Sequence, residues 1–321
     1  MSDIKLSGAG LDDYLVQISV LSQPLSGGSV AGYECPQLTT RIGTEEIKRR
    51  TRAAMERGTQ SIQEIRNICE GETAIICGGG PSLKDHLGTI RKLYNRGLKI
   101  ICTNKTHDWL VERNFRPWAV VLLDPMPHVA EYVKRATPQT KALIAGQCHE
   151  SVFKAMAGAD CYLWHAGDNQ DEEMMPVSLL KAEYPHLPWK VIGGGNTGGL
   201  RAIYVAQSVG FRRVHLFGFD SSMRAGKLYA YPKDHPEDAP EGPATLNMNG
   251  HSEEFYTNEH MARQVENFQD MLKQVMLWNQ HKVWEGLDDI IVHGDGMLPA
   301  VAAGYGLHAD PKMNAKWAKH G

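Results

Sequence analysis

The chain contains 321 residues, with 34 Lys and Arg against 37 Asp and Glu, so its formal net charge at pH 7 is −3. Hydrophobic residues make up 42% and charged residues 22%, a composition typical of a soluble globular protein and too apolar for a disordered one. The near-neutral charge disfavours a polymeric nucleic acid as a partner, because no overall positive field exists to hold its backbone.

Targeting signals and cysteine motifs are missing from the sequence. The amino end has no basic region followed by an apolar stretch, and no window of about 18 uncharged apolar residues occurs. The six cysteines are scattered without a CxxC pair, which argues against a disulfide scaffold and a structural zinc site. We therefore expect a cytoplasmic protein that makes no membrane contact.

Residues 1–70 are predicted to form an amino-terminal arm and helix. Residues 1–43 are rich in Gly, Ser and Thr and lack a sustained hydrophobic period, which indicates an arm. The composition from Thr44 to Glu70 favours one helix, with Gly58 as a candidate break. Such an arm could pack on a neighbouring subunit, so a homo-oligomer is one expectation.

After Gly71, short apolar runs alternate with amphipathic segments of helical length. The apolar runs lie at residues 73–77, 98–104, 118–124, 141–146, 160–165, 189–195 and 213–220. This alternation is typical of a parallel sheet covered by crossover helices. It predicts an α/β fold over residues 71–303, three-layer and doubly wound with a mainly parallel, Rossmann-like sheet, preceded by the partly helical extension.

The last third of the chain begins with a polar, proline-rich excursion over residues 224–255. Loops longer than about 12–15 residues in a compact domain are often functional lids, so we interpret this stretch as a lid-like loop. Apolar residues at helical spacing predict a helix over about 258–281, followed by a last strand. Residues 304–321 are expected to form a peripheral tail.

A glycine turn follows the first predicted strand. Gly78, Gly79 and Gly80 let a backbone approach a ligand closely, and Pro81 sets φ for the start of a helix. The positive end of that helix favours an anion, and the Ser82 hydroxyl can bind a phosphate or cap the helix. The pattern is neither GxGxxG nor GxxxxGK[ST]. It predicts phosphate binding, with a tight structural turn as the alternative.

A second glycine turn also lies between a strand and a helix. It contains Gly195, Asn196, Thr197 and Gly198. Ligands of open parallel sheets bind beyond the carboxyl ends of the strands, where both turns are expected. Asn104, Asp124 and Asp220 end further predicted strands and would meet at the same crevice. The alternative is that each of these three residues caps a helix or turn.

These segments together resemble a known family. The sequences IICGGGPSLK, CTN, LLDP, GQCHESVF, GGGNTGGLRAIYVAQSVGFRRVHLFGFDSS and GDGMLP, in this order over about residues 60 to 302, are similar to the MptE-like, or motility accessory factor, family. That family includes archaeal 6-hydroxymethylpterin diphosphokinases and flagellin glycosylation factors, and it is related in structure to the family 42 sialyltransferases.

The resemblance implies roles for individual residues. Gly78 to Ser82 would form the nucleotide phosphate loop, Asn104 would contact the nucleotide, and residues 195–199 would line the same cleft. In the sialyltransferases a histidine of a GHS segment is the general base and a nearby tyrosine stabilises the leaving phosphate. His251, in the GHS segment at residues 250–252, would correspond to that histidine. Tyr229 or Tyr231 would correspond to the tyrosine.

Two departures from the sialyltransferase pattern point to a second branch. Gly79 replaces an asparagine of the GNGPSL loop, and Asp124 stands where those enzymes carry asparagine. A carboxylate beside a bound triphosphate favours Mg²⁺, so Asp124, and with it Asp220, would hold the ion in a diphosphokinase. Diphosphokinases carry an acidic DLDGD segment here, however, and this chain has only LLDPMPH.

The leading hypothesis is a nucleotide-dependent transferase, specifically a glycosyltransferase that uses a nucleotide-sugar donor. The first alternative is an MptE-like diphosphokinase that uses ATP and Mg²⁺. The second is a nucleotide-binding module without catalysis. The acceptor stays open among a protein side chain, a glycan, a pterin and a nucleobase.

Overall fold

The computed structural model describes the backbone of residues 29–31 and all of residues 42–167, 184–185, 190–195, 197–232, 241–281 and 286–318, apart from some side chains near the end of the long helix at 259–281. Nine strands within these residues form one sheet in which every pairing is parallel. The fold is therefore the α/β, Rossmann-like arrangement that the sequence predicted.

The strands of this sheet are short and deeply buried. They are β2 (Gln60–Ser61), β3 (Thr73–Cys77), β4 (Lys99–Thr103), β5 (Ala119–Leu122), β6 (Lys141–Ala145), β7 (Asp160–Ala166), β8 (Val191–Ile192), β9 (Arg213–Phe217) and β12 (Asp289–Val292). Their order is β12-β9-β3-β4-β5-β6-β7-β2, with β8 also paired to β7. Helices cover both faces of a parallel sheet, which explains why its strands read as continuous apolar runs.

The helices of the described residues follow most strands. They are α1 (Thr44–Glu56), α2 (Leu87–Asn95), α3 (Thr106–Val111), α4 (Glu150–Ala155), α5 (Gly198–Ser208), α6 (Glu259–His281), α7 (Met297–Gly304) and α8 (Pro311–Trp317). Short 3₁₀ segments lie at Ile62–Ile65, Pro81–His86 and Pro127–Val133. Helix α5 packs across β3, β4 and β5 in the centre of the sheet. Its first turn lies at the carboxyl edge, because Gly198 faces Leu123 after β5 and Gly199 faces Phe219 after β9.

The predicted helix over Thr44–Glu70 ends at Glu56, which confirms the candidate break near Gly58 but not a helical continuation to Glu70. Gly58 has φ +68°, a left-handed conformation that commonly terminates a helix. A capping box between Ser61 and Glu64 then starts a 3₁₀ segment, and Ser61 itself lies in β2, which pairs with β7. The signal for this second start, S-x-x-E, was present in the sequence.

The segment interpreted as a lid-like loop contains a β-hairpin. Strands β10 (Glu241–Met248) and β11 (His251–Asn258) pair antiparallel, and β1 (Ser29–Ala31) adds a third strand along β10. Asn249 and Gly250, with φ of +55° and +80°, form the two-residue turn. A two-residue turn with both residues at positive φ has a twist that matches the flanking strands. Asn and Gly tolerate positive φ, so an Asn-Gly pair is a strong hairpin signal.

No helix within the part of the chain that the structure describes is long and apolar enough to cross a membrane.

Candidate functional site

The first glycine turn packs against the loop that follows β9. The Gly78 N–H donates to Phe217 O at 2.8 Å, and the Gly80 N–H donates to Gly218 O at 2.8 Å. A Cβ atom on Gly78 would lie only 2.6 Å from Gly218 O, so a larger residue would separate the two loops. The glycines are therefore required for close approach of two backbones, and these two N–H groups do not face a ligand, contrary to the expected phosphate cradle.

Ser82 and Asp220 join the same two loops. The Ser82 N–H donates to Asp220 Oδ2 at 3.0 Å, so a carboxylate of the protein occupies the amino-terminal end of the 3₁₀ segment where an external anion was expected. Asp220 is 2% exposed, and burial raises the pKa of its carboxyl group to about 6. The Ser82 N–H and hydroxyl both act to lower this pKa, but burial outweighs them.

The second glycine turn forms the amino terminus of α5. Thr197 is the N-cap, and its Oγ1 accepts the Leu200 N–H at 3.3 Å. Gly198 and Gly199 are the first two helical residues, whose N–H groups have no partner inside a helix. A Cβ atom on Gly198 would lie 3.9 Å from Leu123 Cβ, just beyond the end of β5. This helix terminus can therefore bind an anion above the carboxyl end of the sheet.

Gly195 has φ +88° and lies on the α6 side of this turn, where a Cβ atom would be 3.2 Å from Asn267 Cβ. The buried guanidinium of Arg201 donates to Gly195 O and to Ile192 O, which ties the turn to β8. Asn196 lies outside the described residues.

The two glycine turns meet across one aromatic ring. Cβ atoms built on Gly78 and Gly199 would lie 3.4 and 3.1 Å from the ring of Phe219, which is 2% exposed. Both turns therefore lie on the same edge of the sheet and on the same side of β9. Sequence reasoning missed Phe219, because one phenylalanine after an apolar strand carries no signal that distinguishes it from the core.

Gln264, on α6, connects the second turn to the loop after β9. Its Nε2 donates to Thr197 Oγ1 at 2.8 Å, and its Oε1 accepts the Ser221 hydroxyl at 3.0 Å. Ser221 has φ +52°, and its carbonyl oxygen accepts the Thr257 hydroxyl at 2.9 Å. Both ends of the buried carboxamide are used, so Gln264 fixes the α5 terminus relative to β9. No local motif around Gln264 could have predicted this contact.

Asn104 lies directly after β4. Because β4 is the strand between β3 and β5, Asn104 is placed between the first glycine turn, which follows β3, and the end of β5. Its φ of +45° is left-handed, a conformation that asparagine tolerates better than most residues. Its Oδ1 atom is buried and has no hydrogen-bond partner among the described residues. A buried polar atom without a partner is costly, so this atom is a candidate ligand contact.

The segment from Tyr229 to Tyr231 covers the first glycine turn. The Ala230 N–H donates to Gly79 O at 2.9 Å, and a Cβ atom on Gly79 would lie 2.4 Å from the Tyr231 hydroxyl oxygen. The two tyrosine rings stack at 5.9 Å, and the Tyr231 hydroxyl lies 3.0 Å from Thr106 Oγ1. Burial raises the pKa of Tyr231, which keeps its phenol neutral. Both predicted tyrosines therefore lie at the site.

Asp124 follows β5, beside the second turn. Its Oδ1 accepts the Met126 N–H at 2.9 Å, which is the turn-capping role that the sequence left as the alternative. Within the described ranges, no cluster of three or more His, Cys, Asp or Glu side chains could hold a metal ion unaided.

His251 lies at the end of β11 that is distant from the other predicted residues, and its role as general base stays a prediction. It follows the hairpin turn, and its ring packs edge-on against Trp317 of α8 at 4.5 Å. The other end of β11 contacts the site, because Thr257 bonds to Ser221. Six residues of extended strand separate His251 from Thr257, a distance of about 20 Å. The three-residue GHS match carried no information about this register.

Comparisons with known proteins agree with this architecture. Residues 50–226 match the family described as 6-hydroxymethylpterin diphosphokinase MptE-like. The solved structure of the MAf glycosyltransferase from Magnetospirillum magneticum AMB-1 is similar, with a TM-score of 0.54 and 15% identity. The similarity covers 81% of this chain but only 38% of that protein's length, and at this identity it shows the fold alone. No curated protein matches the chain.

The family match takes in both glycine turns, Asn104, Asp124 and Asp220, and excludes His251. It supports a transferase-like function. Because the match spans more than half of the sequence, this chain belongs to the MptE-like family.

Proposed function

We propose that this protein transfers a group from a nucleotide-activated donor to an acceptor. The observation that carries the proposal is the first turn of α5, which lies beside the carboxyl ends of β3 to β5, with the unpartnered Oδ1 atom of Asn104 at the end of β4. A helix terminus is suited to the phosphates, and a buried amide oxygen is suited to a hydrogen-bond donor on the nucleotide. Crevices at this edge of parallel sheets are the common ligand sites of such folds.

Within this class, the family description favours pyrophosphoryl transfer from ATP. In such a reaction the acceptor oxygen attacks phosphorus, the bond to the leaving nucleotide breaks, and catalysis consists mainly of positioning and charge stabilisation. Glycosyl transfer from a nucleotide sugar is the second candidate, since the similar MAf protein is a glycosyltransferase. The position of His251 against Trp317 weakens the glycosyl branch, since that branch assigned its base to this residue.

Nucleotide binding is tested by thermal shift with a panel of nucleotides and nucleotide sugars, each with and without Mg²⁺. A ligand at about 100 times its Kd should stabilise the fold by about 2.7 kcal/mol. AMP release from ATP in the presence of acceptor extracts would identify pyrophosphoryl transfer, and release of a nucleotide from its sugar would identify glycosyl transfer. If no member of the panel protects the protein, the proposal is wrong.

Asn104→Gly and Asn114→Gly form a matched pair of variants. Both asparagines have left-handed φ, at +45° and +60°, so glycine relieves strain equally at each position. Asn114 is exposed, whereas Asn104 Oδ1 is buried at the site. Only Asn104→Gly should reduce the thermal shift that a bound nucleotide produces. Equal protection in both variants would remove Asn104 from the site.

A further inference from the structure

A cluster of four imidazoles lies on the side of the sheet where β12 pairs with β9. His293, which follows β12 and is 8% exposed, is at its centre, and its ring stacks on Phe217 at 4.0 Å. The ring of His215, on β9, lies 5.4 Å from it, and the ring of His86, at the end of the first glycine turn's 3₁₀ segment, lies 5.7 Å from it. The fourth ring belongs to His308, which is 9% exposed. The proposed donor site uses none of these four histidines.

The hydrogen bonds of this cluster require neutral rings. His215 Nδ1 and His293 Nε2 lie 3.1 Å apart, and one of these nitrogens must be bare to accept from the other. His308 Nε2 donates to Gly294 O at 2.7 Å, and its Nδ1 accepts the Asp310 N–H at 2.9 Å, so neither nitrogen has room for a further proton. The bonds therefore persist only while His308 and at least one ring of the pair are neutral.

Charged side chains of both signs face the cluster from the surrounding elements. They are Asp85, Arg96, Arg224, Asp289 and Asp295. The acids favour protonation of the rings, but burial outweighs them and lowers the pKa of His86 and of His215. Burial and the other three imidazoles lower the pKa of His293 to about 3. In water an imidazole has a pKa of about 6.5, so acid favours a state in which the cluster is opened, by about 30-fold at pH 5 for His293 alone.

The loop after β12 connects the cluster to the donor site. A Cβ atom on Gly294 would lie 3.0 Å from Asp220 Oδ1, and a Cβ atom on Gly296 would lie 2.7 Å from Asp220 Cα, so the two backbones approach closely. The Leu298 N–H donates to Asp220 O at 3.2 Å. Asp220 in turn accepts the Ser82 N–H at the first glycine turn. A movement of this loop would therefore remove the contacts that position Asp220 beneath the turn.

We propose that the four imidazoles form an acid-sensitive clasp, which holds the loop after β12 against Asp220 while the rings are neutral and releases it when they take up protons. Release would loosen the first glycine turn and lower the affinity for nucleotide; this consequence rests on the proposed function, whereas the clasp itself does not. Asp220 acts in the opposite direction, because its pKa of about 6 favours the closed loop in acid by about tenfold at pH 5. The 30-fold effect of His293 exceeds this, and His86 and His215 act in the same direction as His293.

Amide hydrogen exchange of the full chain, followed by NMR at pH 7.5 and at pH 5.0, tests the clasp. The protection factor of the Leu298 amide, corrected for the intrinsic effect of pH on exchange, measures the opening of the loop. It should fall in the parent as the pH is lowered, and His293→Phe, whose ring can keep the stack on Phe217, should remove about 30-fold of that fall. His215→Gln replaces a half-exposed ring, so this second variant should fold and should also reduce the fall. His260→Gln, at an exposed histidine of α6, is the matched control and should behave as the parent does.

The inference is overturned if the Leu298 protection factor of the parent is the same at both pH values, or if both cluster variants lose as much protection as the parent. It is also overturned if Leu298 and Val120, a fully buried residue in the centre of the sheet, have equal protection factors at pH 5.0, since the whole fold then opens instead of the loop. The nucleotide panel is measured separately. Opening of the loop in a protein that no nucleotide protects would support the clasp and overturn the proposed function.

Discussion

Gly80→Ala should destabilise the protein because it separates the two loops at the centre of the site. A Cβ atom at this position would lie 2.3 Å from Asp220 Oδ2 and 2.8 Å from Gly218 O, distances at which backbone must move. The movement would break the bond from the Gly80 N–H to Gly218 O and the bond from the Ser82 N–H to the Asp220 carboxylate. Both acceptors, the Gly218 carbonyl oxygen and the Asp220 carboxylate, belong to buried residues.

The magnitude follows from these two bonds. A neutral backbone bond contributes about 0.5–1.5 kcal/mol and a bond to a charged group about 1.5–3 kcal/mol. We therefore expect the free energy of unfolding to decrease by about 2–4.5 kcal/mol, measured by urea denaturation. Gly79→Ala should instead displace the Tyr231 ring and break the contact of its hydroxyl with Thr106.

Gly88→Ala is the matched control. Gly88 is the second residue of α2, and no atom lies within 4 Å of its Cβ position. Alanine should stabilise the helix there by up to about 1 kcal/mol. If Gly80→Ala unfolds at the same urea concentration as Gly88→Ala, the glycines of the first turn are not needed for loop contact, and their role would have to be ligand binding after all.

Three further changes have defined outcomes. Burial and the neighbouring imidazoles lower the pKa of His293 to about 3, so the neutral ring stabilises the fold above about pH 6.5 and this stabilisation is lost as the pH falls toward 3. The loss should reach about 2 kcal/mol at pH 5, and His293→Phe should flatten that part of the pH–stability curve; an unchanged curve would contradict the buried neutral ring. His251→Ala should leave nucleotide protection and turnover within a few-fold of the parent, because the ring packs on Trp317; a loss of about 10²-fold or more would restore it as a base. Thr197→Ala removes the α5 cap and the acceptor of Gln264, and should cost about 1–2 kcal/mol in urea unfolding and weaken nucleotide protection; full protection would place the phosphates elsewhere.

Local signals carried the prediction of the sheet. Most of the predicted runs coincide with strands, because both faces of a parallel sheet are buried and each strand must be apolar throughout. Two local signals were present but were not used: the Ser61 to Glu64 capping box and the Asn249-Gly250 hairpin turn. The helix was therefore predicted too long, although its break near Gly58 is confirmed, and the hairpin was not predicted. The lid role of residues 224–255 stays a prediction.

Contacts between distant segments account for the other differences. Ser82 and Asp220 are 138 positions apart, and nothing in either segment shows that the carboxylate accepts the Ser82 N–H. The contact of Gln264 with Thr197 and the contact of His251 with Trp317 are also long-range. Composition and local motifs indicate which residues near a turn are suited to bind a ligand. They do not indicate which residues of other strands and helices contact that turn.

The amino-acid sequence by itself determined the parallel α/β architecture and the two glycine turns at the ends of its strands, since these depend on hydrophobic runs and on residues with special backbone freedom. Only the tertiary structure decided what the turns contact. The order of strands in the sheet brings β9 beside β3, so Asp220 takes the amide that an external phosphate was expected to bind, and the hairpin register carries His251 away from the crevice. Strand order and register are set by packing over the whole molecule, which is why no local pattern contains them.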